Sequence, residues 1–158
     1  MNNSKVYLSI GSNLGNREKN ISICMDHLEK ISEIKNVSKI YETVPYKVDI
    51  VQGNFLNLAV EINFFESAEN LLIEINKIEK KLGRIRSIIK NEPRAIDIDI
   101  IFFGDQIINK KDLVVPHPRF RERLFVLEPL NDIAPNFLDP ITNKTIKELL
   151  INAQNSSD

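Results

Sequence analysis

Apolar residues recur at two different periods along this chain, and the changes of period mark out its elements. Residues 5–10 alternate, with Val6, Leu8 and Ile10 on one face and Tyr7 and Ser9 on the other, which predicts a strand. Residues 55–64 alternate more strongly. Leu56, Leu58, Val60, Ile62 and Phe64 share one face, and Phe55, Asn57, Ala59, Glu61 and Asn63 share the other. Between these runs the period lengthens. Ile21, Cys24, Met25, Leu28 and Ile31 form a helical stripe, with Asn16 placed to cap it. Leu71, Leu72, Ile75, Ile78 and Leu82 form a second stripe, which Ser67 caps and Gly83 ends. Residues 37–41 read as a weaker strand, and a polar loop runs from Thr43 through Gly53.

The run 93–103 is β-branched and closes with two phenylalanines, so it reads as a buried strand. After it, Gly104-Asp105 predicts a turn and 106–108 a short returning strand. Prolines hold 114–119 extended. Arg121 and Arg123 open a helix with Phe125, Val126, Leu127 and Leu130 as its apolar residues. A last short helix covers 145–151, and 152–158 reads as a frayed polar tail. Helices separate the principal strands in the order βαββαβ. This is the ferredoxin-like α+β arrangement, an antiparallel sheet with helices on one face, followed here by a C-terminal helical extension. The whole chain, 1–158, reads as a single domain.

Composition narrows the function classes. The apolar share of 42% and charged share of 27% are those of an ordinary soluble globule. A net charge of −1 gives no general attraction to nucleic acid or to an anionic membrane, so a phosphate site must be a local cluster of cations. No apolar run reaches membrane-spanning length, and residues 1–5 lack a secretory apolar segment. Cys24 is the one cysteine, which excludes an internal disulfide and fits a reducing cytoplasm. Its place in the helical stripe makes it a core thiol, and His27 beside it reads as a helix-surface histidine.

The candidate chemistry lies on the strand 93–103. Ile96, Ile98 and Ile100 point one way, so Asp97 and Asp99 point the other, about 6.6 Å apart at two rises of about 3.3 Å. Two neighbouring carboxylates repel, and a bound divalent ion, most simply Mg²⁺, relieves that. The alternative is a solvated acidic strand face. The segment just before it, 83–94, carries four cations, Arg84, Arg86, Lys90 and Arg94. Cations next to paired acids suit a metal–polyphosphate complex, or else they pair with the acids directly. Glu79 sits at the edge of the second helical stripe as a ligand contact or a snorkelling acid. His117 is held between two prolines. The face opposite the helices would collect Tyr7, Ser9, Phe55, Asn57, Asp97 and Asp99, a polar floor edged by aromatics.

These motifs together resemble the hydroxymethyldihydropterin pyrophosphokinase family. The resemblance runs from Ser9-Ile10-Gly11-Ser12-Asn13-Leu14-Gly15 to Leu127-Glu128-Pro129-Leu130, and its most specific part is Pro93-Arg94 followed by Asp97-Ile98-Asp99. Leu82-Gly83-Arg84 and Val115-Pro116-His117 also match. The resemblance implies Mg²⁺-dependent transfer of pyrophosphate from ATP to the pterin hydroxymethyl oxygen, leaving AMP. It implies that Asp97 and Asp99 hold two Mg²⁺ ions, and that Arg84 and Arg94 contact the phosphates and act in catalysis. Glu79, Arg86, His117 and Arg123 would contact ATP, with Ile100 and Leu113 near its adenine. Thr43, Val44, Tyr46 and Asn57 would bind the pterin, with Phe55 and Phe125 sandwiching its ring. A downstream folate-pathway enzyme is the one macromolecular partner that this reading accommodates. Two departures stand out: Asn91-Glu92 replaces the usual aromatic and glycine before Pro93, and Pro118 follows the histidine. The competing readings are an RNA-binding module, disfavoured by the acidic face, and a two-metal phosphohydrolase, disfavoured by a chain with only two histidines.

Overall fold

The computed structural model describes residues 4–44, 54–83 and 95–156. Its main sheet contains β1 (Ser4–Ser12), β2 (Glu33–Val37), β3 (Tyr41–Thr43), β4 (Phe55–Phe64) and β5 (Asp97–Phe103). The order across the sheet is β2-β4-β1-β5, with β3 also pairing β4, and every pairing is antiparallel. This is the expected βαββαβ arrangement. Helices α1 (Arg17–Ile31) and α2 (Ala68–Lys81) cover one face. Asn16 caps α1 by accepting from Lys19 N–H, and Ser67 caps α2 by accepting from Asn70 N–H. Gly83 ends α2 at φ 91°, a left-handed conformation that favours glycine. The core between helices and sheet contains Val6, Leu8, Ile10, Leu28, Leu58, Ile62, Leu71, Ile75, Ile98 and Ile100. Cys24 is buried within it, and burial, followed by the nearby Glu79 charge, pushes its thiol up to about 12. That thiol stays protonated at neutral pH, as a packing residue should.

The structure corrects several boundaries. The weak strand expected at 37–41 is the junction of two strands, β2 and β3, which Ser38, Lys39 and Ile40 separate. Ser38 N–H donates to the Ala59 carbonyl, but Ala59 N–H donates to the Ser38 hydroxyl, which replaces a backbone carbonyl in the ladder. Polar Glu33, Lys35 and Asn36 hid β2 from the periodicity; pairing with β4 overrides their weak strand preference. Gly11 and Ser12 belong to β1, which runs two residues beyond the strand expected at 5–10. The returning strand is β6 (Ile108–Lys110), and it pairs with β7 (Leu113–Val115) in a separate hairpin. Arg121 lies in a short 3₁₀ turn, Phe120–Glu122, ahead of helix α3 (Leu124–Ile133). The supposed polar tail is helical as far as Ser156 in α4 (Ile146–Ser156). Thr145 and Glu148 form a reciprocal capping box at its start, and Ala153 is buried in its final turns.

Helices α3 and α4 produce the largest correction. They cover half of the sheet face that was expected to be wholly an open floor. Tyr7, Ala59, Ile101, Phe102, Phe120, Leu127, Leu130 and Leu149 form a second core there. A bulge makes it possible: Tyr7 pairs with Phe102 but Leu8 pairs with Ile100, leaving Ile101 extra. The extra residue turns Phe102 onto the aspartate face, where it meets Phe120 edge-on at 5.0 Å, and turns Phe103 into the first core. No described helix is long and apolar enough to cross a membrane.

Candidate active site

The uncovered half of that second face carries the candidate site. Cross-strand partners share a face, and the register sets out two rows. Asp97 of β5, Gly11 of β1, Asn57 of β4 and Tyr41 of β3 lie in one; Asp99, Ser9 and Ala59 lie in the next. Asp97 and Asp99 therefore sit on the same side of their strand, and both are half-buried. Asp97 and Asn57 are two strands apart, about 10 Å at the usual inter-strand spacing. Gly11 lies between them and contributes no side chain, so that span is floored by backbone.

Gly11 also sets the position of Asn57. A Cβ on Gly11 would stand 3.1 Å from Asn57 Oδ1 and 3.6 Å from the Phe55 ring. Asn57 is buried, and its Nδ2 donates to Thr43 Oγ1 at 2.7 Å, which leaves its carbonyl oxygen on the Gly11 side. A Gly11→Ala variant is expected to displace the Asn57 amide and to weaken ligand binding over this row by about tenfold, with little change in melting temperature. Binding titrations of the variant and the parent check this, and equal affinities would contradict it.

Phe55 is half-buried at the start of β4, Thr43 half-buried at the end of β3, and Val44 strongly exposed beside it. Phe125 packs against the second core, with the Arg123 guanidinium 5.7 Å from its ring centroid. His117 follows the cis Val115–Pro116 peptide, and its N–H donates to the Ile101 carbonyl, which places it alongside β5. Its Nδ1 accepts from Arg119 N–H at 3.1 Å. Burial, reinforced by the charges of Arg123 and Arg119 and opposed by that of Asp97, pushes the imidazole down to about 4. At neutral pH it is uncharged and carries its proton on Nε2, so it can donate there without adding charge.

Other expected residues occupy less direct places. Glu79 is neither an edge residue nor a snorkelling acid. It is buried, and its Oε2 accepts from Ile98 N–H at 2.9 Å, tying α2 to β5 at the end of the sheet. Ile100 and Leu113 point into the first core, so a contact to an adenine would come from their backbone. Tyr46, Arg84, Arg86 and Arg94 lie outside the described residues, as do Asn91 and Glu92. Periodicity gave no hint of two contributors. Tyr41 donates its hydroxyl to Asp132 at 2.8 Å, linking β3 to α3. Arg17, at the start of α1, reaches Glu42 and the Asn54 carbonyl. The available signal for Arg17 was a cation at a helix N-terminus, against the helix dipole.

The donor set has a definite chemical character. Two half-exposed carboxylates on one strand offer hard oxygen ligands, which suit Mg²⁺. Among the described residues no group of three or more His, Cys, Asp or Glu could hold a metal. The pair therefore fits an ion that takes its other ligands from water and phosphate oxygens.

Comparison with known proteins bears on the same residues. The family model described as 7,8-dihydro-6-hydroxymethylpterin-pyrophosphokinase (HPPK) matches residues 7–135. The 2-amino-4-hydroxy-6-hydroxymethyldihydropteridine pyrophosphokinase of Aquifex aeolicus is 41% identical over 143 residues, 90% of this chain and 88% of that protein. The folic acid synthesis protein fol1 of Pneumocystis carinii is 44% identical over 151 residues, 92% of this chain. The chain spans 20% of the length of that protein and 23% of its Dictyostelium discoideum counterpart. Among solved structures, Plasmodium falciparum HPPK-DHPS superposes with a TM-score of 0.76 at 20% identity, covering 96% of this chain and 45% of that one, a likeness of fold.

Proposed function

Since the chain belongs to the 7,8-dihydro-6-hydroxymethylpterin-pyrophosphokinase family, we propose that it transfers pyrophosphate from ATP to 6-hydroxymethyl-7,8-dihydropterin in folate biosynthesis. The hydroxymethyl oxygen attacks the β-phosphorus and forms a new P–O bond. The bond from that phosphorus to the α,β-bridging oxygen breaks, AMP leaves, and the hydroxyl proton passes to solvent. One observation carries the reading: the acidic pair and the Asn57 amide share one sheet face, separated by the bare backbone of Gly11. A flat heterocycle at Asn57 would aim an exocyclic arm along that floor toward phosphates at Asp97 and Asp99.

Two Mg²⁺ ions on Asp97 and Asp99 would neutralise ATP oxygens and polarise the phosphorus that is attacked. The protein's own groups then act mainly by position and charge. Asn57, its amide oriented by Thr43, offers both a donor and an acceptor to the pterin edge. Phe55 and Phe125 would flank the ring, and Thr43, Val44 and Tyr46 complete that end. His117 would donate Nε2–H to ATP while Arg123 supplies charge beside it. Glu79 would serve ATP indirectly, by fixing the β5 edge through Ile98. Arg84, Arg86 and Arg94 are proposed as phosphate contacts, with Arg84 and Arg94 also stabilising charge in the transition state.

The test is to mix protein, ATP, Mg²⁺ and the pterin, then follow AMP and the pterin diphosphate. AMP formed equally without pterin would make the protein a hydrolase, and no AMP under either condition would remove the assignment. An Asn57→Ala variant is expected to raise the KM for pterin by about tenfold or more and to leave that for ATP near its parent value. A change confined to ATP would contradict the assignment of Asn57. A cytoplasmic setting suits the reduced, buried Cys24. A second folate-pathway enzyme, fused or docked, is in keeping with the much longer relatives.

A further inference from the structure

We propose that Arg17 is a positioning residue for the pterin half of the site; the proposal rests on the pyrophosphokinase reading above. Arg17 is the first residue of α1, directly after the cap Asn16. A cation there opposes the helix dipole, so local preference does not account for it. Its guanidinium turns away from the helix. Nη1 donates to Glu42 Oε2 at 3.0 Å and to the Asn54 carbonyl at 2.8 Å.

Those two acceptors belong to the two strands of one hairpin. Glu42 lies on β3, and Asn54 immediately precedes β4. Among the described residues the last matched pair between these strands is Thr43 with Phe55. Residues 44–54 join them, a connection far longer than a two-residue turn. Strands open first where their ladder stops. Arg17 bonds each strand within one residue of that last pair and so staples the end of the hairpin. Thr43 and Phe55 are the pair being held, and Asn57 is two residues further along β4 and bonded to Thr43.

The staple is anchored at its other end. Asn16 accepts from Lys19 N–H, and Asn20 Nδ2 donates to the Leu14 carbonyl at 2.8 Å, which ties the start of α1 to the turn after β1. That strand carries Gly11. Arg17 therefore links the Gly11 floor to the Thr43–Phe55 end, and sets the width of the slot between them before ligand arrives. The Arg17 side chain is 26% exposed and Glu42 52%, so the ion pair is partly screened and contributes little to global stability. Its effect is local.

The test compares the parent with Arg17→Met, Arg17→Lys and Glu42→Gln, titrating pterin with a non-hydrolysable ATP analogue present and, separately, the analogue alone. Arg17→Met is expected to weaken pterin binding about tenfold while leaving analogue affinity and melting temperature near the parent values. Arg17→Lys should fall between, because a point charge on a shorter stem reaches both acceptors poorly. Combining Glu42→Gln with Arg17→Met should weaken binding by less than the product of the single effects. Parent-level pterin affinity in Arg17→Met overturns the proposal, as does an equal loss for pterin and the analogue. If the parent itself neither binds pterin nor turns over, the pyrophosphokinase reading fails instead, so the two failures are distinguishable.

Discussion

Asp97→Ala and Asp99→Ala are each expected to lower turnover by about a thousandfold or more, with the melting temperature nearly unchanged. The physical basis is the strand itself. Its odd positions project both carboxylates onto the uncovered half of the sheet, while Ile96, Ile98 and Ile100 hold its other side in the core. Removing one carboxylate would take away a proposed metal ligand beside the proposed phosphate site, and it removes nothing from either core. The loss should appear in kcat, because ions that stabilise the attacked phosphorus act mainly in the transition state. Initial rates at saturating ATP and pterin, across a Mg²⁺ titration, measure it. Near-parent turnover in either variant would remove the metal assignment, and a melting temperature that collapses with the rate would assign the loss to folding instead.

Arg121→Ala is expected to destabilise the fold by about 3–5 kcal/mol. Arg121 Nε and Nη2 donate to the two carboxylate oxygens of Asp139 at 2.6 and 2.9 Å. Asp139 is completely buried, and it also accepts from Ile141 N–H and from the Thr142 hydroxyl, so it organises the turn before α4. Without Arg121 its charge would stay buried and uncompensated. Burial alone raises the carboxyl, but these hydrogen bonds and the Arg121 charge outweigh it and hold Asp139 below its usual range. A depressed folded value means that the contribution is fully present above the ordinary value of about 3.8 and is lost as pH falls through the folded one. Urea denaturation of the parent should therefore show a loss of stability on going below about pH 4 that is smaller in Arg121→Ala. An unchanged unfolding midpoint in the variant at neutral pH would refute this account of the pair.

The predicted elements divide by the kind of information that specifies them. β4 was legible to the residue because Leu56 to Phe64 alternate without interruption. α1 and α2 were legible because cap and stripe agree, and in α2 Gly83 also marks the end. β2 was not, because Glu33, Lys35 and Asn36 carry no strand signal of their own. Asn36 is held by donating to Glu61 beneath Tyr7, a contact made by residues far apart in sequence. The last turns of α4 were misread for the same reason: Asn152, Gln154 and Asn155 look like a tail, and only the burial of Ala153 against the second core shows otherwise.

The candidate site follows the same division. Spacing alone put Asp97 and Asp99 on one side of a strand, and the motifs around them pointed to a pterin pyrophosphokinase, because both are properties of consecutive residues. What lay across from that pair depended on strand register. Register put Gly11 between Asp97 and Asn57 and Tyr41 beyond them, and the docking of α1 put the Arg17 guanidinium on the hairpin end. Register also placed the Ile101 bulge, which lets α3 and α4 close half of the face and leaves the other half open. Side-chain alternation is local and can be read from order alone. Which strands meet, and at which residues, is settled by non-local packing that only the folded chain expresses.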